Sequence, residues 1–444
     1  MTTSVQAIFD IGKTNKKLFL FDQKGQIQWS TTTHFPTIED EDGFPSDDLH
    51  AIETWVKTTI QQLAGDPKWD IQRINFSAYG ASLVYLDKNG KRLPLFINYL
   101  KPYPEQISDS FFGKYGPTLK FCRESASPYL GMLNSGLQIY WLKYAKPQWF
   151  EKIRYVLHFP QYLSYLFTQT PLAEYTSIGC HTGMWDYESQ DYHRWIDEEG
   201  IRPLLPPLKA SNTTREVGFG SGTVQVGTGL HDTSASLIPY LASEKEPFLL
   251  LSTGTWAVCV NPFSTSILSE EDLQNDCLNF LGIEGQQVRA ARLFLGREHE
   301  IQVNRLGEHY GVEVEKFMRL DWNEEDYAKS KSAGRFPFTL EHLNAESSTN
   351  SPSQAPSSWI HAYYQLMDIL VPLQVAAVYR SAGGQNIRRL IIEGGFIHNK
   401  IYFHLLRRSL PDWEVSISTI RGGSARGVWE LGTGKEGPGK QAVM

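Results

Sequence analysis

One local pattern occurs twice along the 444 residues, and it limits the folds open to this chain more than any other feature. Ala7–Ile11 and Leu18–Phe21 are short apolar runs on either side of Gly12, Lys13, Thr14, Asn15, Lys16 and Lys17. Phe248–Ser252 and Trp256–Asn261 repeat the arrangement around Thr253, Gly254 and Thr255. Apolar runs of this length bounded by turn residues read as paired strands. Each hairpin leads on to a later strand that ends in a glycine turn. Ile71–Phe76 runs into Tyr79, Gly80, Ala81 and Ser82, and Arg389–Glu393 runs into Gly394 and Gly395. The sequence therefore predicts an α/β protein of two domains related by internal duplication, 1–243 and 244–444, with a cleft between them.

The first turn has its own chemistry. It holds three lysines, a hydroxyl, an amide and one glycine, which lets the backbone come close to a ligand. Asp10 ends the strand that enters it. A carboxylate beside a cationic turn suits a magnesium–polyphosphate ligand, with oxygen for the metal's water shell and donors for the phosphates. The same residues also make an ordinary hairpin with a solvated basic turn. Two glycine turns aimed at one gap would hold a nucleotide from both sides, the phosphates on the hairpins and the nucleoside on the later turn.

Composition narrows the partners. A formal net charge of −7 argues against a nucleic-acid binder, whose footprint is basic. The four cysteines have no CxxC spacing, so neither a disulfide framework nor a zinc site is expected, and a reducing cytoplasm fits. No apolar run reaches the length of a membrane span, and the first residues lack a signal pattern. Aromatic residues make up 13% of the chain, enough to fill cores and still line a sugar cleft.

The rest of the chain reads in order. Ile27–Phe35 is a third strand, and Ser46, Asp47 and Asp48 are candidate caps for a helix over Leu49–Leu63. The stretch from Pro94 to Leu208 is mostly helical by period, with helices expected at Leu133–Tyr144 and Trp149–Leu157. Val217–Gly229 is a hairpin that leads into a helix starting near His231 and Asp232. Asn344–Ser358 is a surface loop, and Trp359–Arg380 a long helix with a kink expected at Pro372. Trp413–Thr419 is a strand, Gly423–Trp429 opens a last helix, and a frayed tail follows.

Five of these stretches, in this order, resemble the FGGY carbohydrate kinases of the actin-like ATPase (ribonuclease H-like) fold. DIGKTNKK is similar to that family's first phosphate loop and LSTGTW to its second. LHDTSAS is similar to the segment that carries the catalytic aspartate, IIEGGFIHN to the adenosine turn, and RGGSARG to the closing helix. HDTSAS and GTW place the chain nearer the rhamnulokinase and fuculokinase branch than glycerol kinase.

The resemblance implies roles residue by residue. Asp10 would hold magnesium through water. Gly12, Lys13, Thr14, Asn15 and Lys17 would border the ATP phosphates, with Gly254 and Thr255 opposite. Gly394, Gly395 and Asn399 would border adenosine. Asp232 would be the general base that takes a proton from a sugar hydroxyl, although an aspartate before Thr233–Leu237 also reads as a helix cap. Tyr79, Gly80, Ala81, Ser82, Asn98, Gln161 and His231 would surround the sugar. Trp256 is a further candidate, with core packing as its plainer role. Two positions depart from the family: Lys13 stands where threonine is usual, and Ser82 where the branch has aspartate. The implied substrate is a 6-deoxy-ketohexose such as L-rhamnulose or L-fuculose, with a ketopentose (ribulose or xylulose) next. The partner is then a small sugar, with neither nucleic acid nor membrane, and a homodimer is compatible. A nucleotide-binding sensor on the same fold, without sugar transfer, is the alternative from another class.

Overall fold

The computed structural model describes residues 2–220, 222–340, 343, 354–420 and 422–433. Most of the Asn344–Ser358 loop and of the C-terminal tail lies outside these residues. Two mixed sheets carry the architecture. In the first, β1 (Thr3–Ile11), β2 (Lys16–Asp22) and β3 (Ile27–Thr33) form an antiparallel meander. Helix α1 (Leu49–Gly65) then crosses to β4 (Trp69–Ala78), which lies parallel to β1. Strands β5 (Thr214–Phe219) and β6 (Gly222–Gly227) extend the sheet to the order β5-β6-β4-β1-β2-β3. Strand β7 (Leu230–His231) also lies parallel to β4 and feeds helix α2 (Asp232–Ser243).

The second sheet contains β8 (Leu249–Thr253), β9 (Ala257–Asn261), β10 (Cys277–Leu281), β11 (Gln287–Leu293), β12 (Arg389–Gly394) and β13 (Glu414–Ile417), in the order β10-β11-β9-β8-β12-β13. Strand β8 is antiparallel to β9 and parallel to β12, and β9 is antiparallel to β11. The run β11-β9-β8-β12 thus repeats β3-β2-β1-β4 in direction and neighbour. The duplication read in the hairpins extends to whole sheets.

Burial follows the strand pattern. β1 over Ala7–Phe9 and β4 over Ile74–Ala78 are buried on both faces, whereas the start of β4 alternates, with Asp70 and Gln72 exposed between Trp69 and Ile71. Their core is closed by Ile52, Val56 and Ile60 of α1. In the second half, α3 (Leu295–Tyr310) and α4 (Trp359–Ala382) cover the sheet. α4 runs through Pro372 as one helix and ends at Gly383, whose left-handed φ of 60° closes it. The last helix, α5 (Gly423–Gly432), returns to the first half, where Ala425, Val428 and Trp429 pack on Ile8, Phe21, Leu230 and Ile238.

One element differs from expectation. Trp149–Leu157 is not a helix: a short helix at Pro147–Phe150 is followed by a strand, Tyr155–His158, paired antiparallel to Leu83–Leu86. A short apolar run fits either state, and here the open edge of Leu83–Leu86 selects the strand. Among the described residues no helix is long and apolar enough to cross a membrane, and all four cysteines are free and buried.

Candidate active site

Register brings the site together. Ile11 and His231 both pair with Ala78, so β1, β4 and β7 end side by side. The Gly12 turn, the Tyr79–Ser82 turn and the start of α2 leave the sheet at one edge. Thr253 pairs with Gly394, so the two glycine turns of the second half also leave together. Ligands in open α/β sheets bind outside such carboxyl ends.

Asp232 is the first residue of α2, with His231 in the cap position. Its Oδ1 accepts the Thr233 backbone N–H at 2.7 Å and lies 3.3 Å from the Thr233 hydroxyl. Its side chain keeps 34% of its surface open. Burial of the carboxyl pushes its pKa up to about 6 against the Thr233 donors. Asp10, at the end of β1, accepts from the Ser424 hydroxyl at 2.7 Å. It too is pushed up to about 6, first by burial, with the charge of Asp232 adding and Lys17 opposing. Two carboxyl groups raised by burial, with the charge of Asp232 adding to the cost of ionising Asp10, suit a site that receives a cation.

A buried layer fixes His231 and Asp232. Cys180 Sγ sits 3.0 Å from His231 Nε2 and 3.3 Å from His181 Nε2. Burial lowers His231 to about 3, so its ring is neutral, and its Nδ1 has no hydrogen-bond partner. The His231 N–H donates to the Thr176 hydroxyl, which donates to the fully buried Glu174. Glu174 also accepts the Thr176 and Ser177 backbone N–H groups and the Ser211 hydroxyl. Gln161 donates to the carbonyl of Gly229 at 2.9 Å and leaves its Oε1 unpartnered. Gly80 is required here: a Cβ on it would meet Cys180 Sγ at 2.4 Å and His231 Cδ2 at 3.1 Å.

The turn assigned to sugar is buried and strained. Ala81 has a φ of 60°, uncommon for a residue with a Cβ, and its carbonyl accepts from the buried Gln138. Ser82 is 2% exposed, and the Tyr79 hydroxyl donates to Asp47 at 2.9 Å. Asn98 is committed to the backbone, donating to Pro45 O and accepting from Leu100 N, so it supports this wall. Thr14 and Asn15 are exposed at the tip of the first turn, and Lys17 faces Asp10. Lys13 and Lys16 turn to Asp47 instead of out into solvent.

On the opposite side Gly254, Thr255, Gly394 and Gly395 are exposed. Gly394 has a φ of 90°, and a Cβ there would meet Thr253 O at 1.9 Å, so only glycine fits the turn. Asn399 is 1% exposed, and its amide is taken up inside the fold. It donates to the Tyr363 hydroxyl at 2.7 Å and caps the next helix through Tyr402 N, so it props the Gly394–Gly395 turn rather than offering polar atoms to a ligand. Trp256 is not core: it is 40% exposed, tilted at 38° against the Phe294 ring, with the Arg292 guanidinium over its own ring.

Sequence reasoning missed Asp47, Tyr99, Gln138, Glu174 and Ser424. Only Ser424 carried a local signal, as part of RGGSARG.

The two halves repeat one strand order, and each leaves its glycine turns at the end of the same pair of strands. The chain belongs to the FGGY family of carbohydrate kinases: residues 5–239 match the N-terminal domain of that family and residues 245–441 its C-terminal domain. It is similar to a rhamnulokinase of Pectobacterium atrosepticum, 25% identical over 256 residues, which are 53% of this chain and 48% of that protein. It is also similar to an L-fuculokinase of Haemophilus influenzae, 23% identical over 311 residues, 62% of this chain and 63% of that one. The chain thus spans about half to under two thirds of the length of these curated relatives. In fold it resembles the crystal structure of a carbohydrate kinase from Novosphingobium aromaticivorans, with a TM-score of 0.79, 21% identity, and coverage of 96% of this chain and 93% of that chain.

Proposed function

We propose that the protein is an ATP- and magnesium-dependent kinase that phosphorylates a hydroxyl of a ketose, with a 6-deoxy-ketohexose such as L-rhamnulose or L-fuculose the best-supported class. One observation carries the reading: the carboxyl of Asp232 stands open at the strand ends beside Asp10, its pKa pushed up to about 6. A base in that range is ionised at neutral pH and still accepts a proton readily.

The residues fit the nucleotide and the ion. No group of three or more His, Cys, Asp or Glu side chains is gathered into a metal cage among the described residues. Magnesium keeps several waters and needs only one or two protein carboxylates, which Asp10 supplies. When bound, MgATP supplies the phosphoryl group and neutralises its charge. Gly12, Thr14, Asn15 and Lys17 border its phosphates from one side and Gly254 and Thr255 from the other, while Gly394 and Gly395 give the adenosine a flat turn. In the reaction Asp232 takes the proton of the acceptor hydroxyl. That oxygen forms the new bond to phosphorus as the bond to the bridging oxygen breaks, and ADP leaves with the electron pair. The transition state is loose, so proton loss is late and a weak base suffices.

The test is ADP release with magnesium, measured against L-rhamnulose, L-fuculose, ribulose, xylulose, polyols and aldoses. A ketose should stimulate release, and Asp232→Asn should lower turnover about 10²–10⁴-fold while MgADP binding persists. ATP hydrolysis indifferent to every sugar would replace this reading with a nucleotide-binding sensor.

A further inference from the structure

Lys13 occupies an unusual place for a residue of a phosphate loop. Its ammonium bonds Asp47 Oδ2 at 2.5 Å, and lies 5.3 Å from the centre of the Tyr79 ring and 4.9 Å from that of Tyr99. Asp47 is 8% exposed and also accepts the Tyr79 hydroxyl at 2.9 Å. The base of the loop is fixed by the buried Lys16, whose ammonium donates to Lys13 O at 2.7 Å and approaches Asp47 Oδ1 at 3.6 Å. Tyr79 begins the turn that packs Gly80 on His231, and Tyr99 lies within the field of Asp232. Every partner of the Lys13 side chain therefore belongs to the acceptor side of the cleft.

We propose that Lys13 serves the acceptor: its ammonium, moored to Asp47 between Tyr79 and Tyr99, is the cation that meets the phosphoryl group as it arrives on the sugar oxygen. Asp47 is the positioning residue that keeps it there. This rests on the kinase reading above. The physical grounds are the tether and the rings. A swing toward the nucleotide would break the ion pair and give up both cation–π contacts. A fixed cation is most useful where charge spreads over the equatorial oxygens of the moving group.

Steady-state kinetics of Lys13→Thr, Lys13→Met and Asp47→Asn, using the ketose turned over fastest, decide the matter. Lys13→Thr and Lys13→Met should lower kcat about 10–100-fold and raise the sugar KM, with the MgATP KM and calorimetric MgADP binding within about twofold of the parent. Asp47→Asn should move the same parameters less, and adding it to Lys13→Met should lower kcat no further, because what Asp47 then still holds, Tyr79 and Lys16, is not the cation that meets the phosphoryl group. Lys13→Met keeps the bulk of the side chain, so it guards against a folding defect in Lys13→Thr. A raised MgATP KM at constant sugar KM would assign Lys13 to the nucleotide and overturn the proposal. Kinetics unchanged in all three variants would reduce the pair to a structural one. A parent protein that phosphorylates none of the ketoses would overturn the kinase reading itself, and this proposal with it.

Discussion

The thiol of Cys180 lies 3.0 Å from Nε2 of His231, although 51 residues separate them. Burial raises the thiol well above its ordinary pKa and lowers the imidazole to about 3, so both are neutral at pH 7. The contact is a hydrogen bond between uncharged groups, and it holds the residue that precedes Asp232. Gly80 closes over it with no space left.

Gly80→Ala should therefore act through packing. The added methyl meets sulfur at 2.4 Å, and overpacking of this kind costs about 1–3 kcal/mol. Melting temperature and turnover should both fall. Adding Cys180→Ala should recover much of both by making room. If the double variant is worse than Gly80→Ala alone, the contact is not what makes the glycine necessary.

The two raised carboxyls set a pH dependence. Asp10 and Asp232 must both be ionised to act, so kcat/KM should climb as pH rises through about 6 and then level off. Stability runs the other way. Both folded-state values lie above the ordinary aspartate value of 3.8, so their contribution is present below 3.8 and lost as pH rises through about 6. Asp232→Asn should melt above the parent at pH 8, with the gap closing toward acid pH. A variant that melts lower at both ends would contradict the burial argument.

Ser424→Ala removes the hydroxyl that favours ionised Asp10. A hydrogen bond to a charged group is worth about 1.5–3 kcal/mol. Magnesium titrations at fixed ATP should show a several-fold rise in the metal needed for half-maximal rate, and the acid limb should move to higher pH. An unchanged magnesium requirement would separate Ser424 from the metal.

Away from the cleft, Glu199 tests the fold. Its buried carboxylate accepts from Lys114, Lys143, Tyr115 and Tyr144, which bring its pKa down to about 2 despite burial. Depressed below the ordinary glutamate value of 4.5, it contributes stability above 4.5 that is lost as pH falls toward 2. Glu199→Gln should cost on the order of 3 kcal/mol at neutral pH and flatten the acid side of the stability curve. Chemical denaturation at pH 7 and pH 4 checks both.

Local chemistry made much of this visible in the sequence. The hairpins, glycine turns and Asp10 follow from strand length and turn composition, and register then forced them together. Other roles depend on distant partners. Ser46, Asp47 and Asp48 looked alike as caps, yet only Asp48 holds the helix, through Ala51 N at 2.9 Å. Ser46 donates to Phe96 O and Asp47 faces Lys13. Nothing within a few residues of Asp47 encodes that choice. Trp256 misled in the opposite way, because a large aromatic suggests burial, whereas the turn after Thr253 holds it at the surface against Phe294.

Helix α5 completes a sheet whose strands were laid down hundreds of residues earlier. Its Gly427 sits so close to α2 that a Cβ would meet Ala235 O at 1.8 Å, and Arg426 bonds Gly25 O at 2.7 Å. During synthesis Phe21, Leu230 and Ile238 must therefore wait, apolar and uncovered, until α5 itself has left the ribosome. Chimeras between relatives face the same constraint: an opening hairpin has to travel with its own closing helix, or the exchanged half arrives without one of its walls.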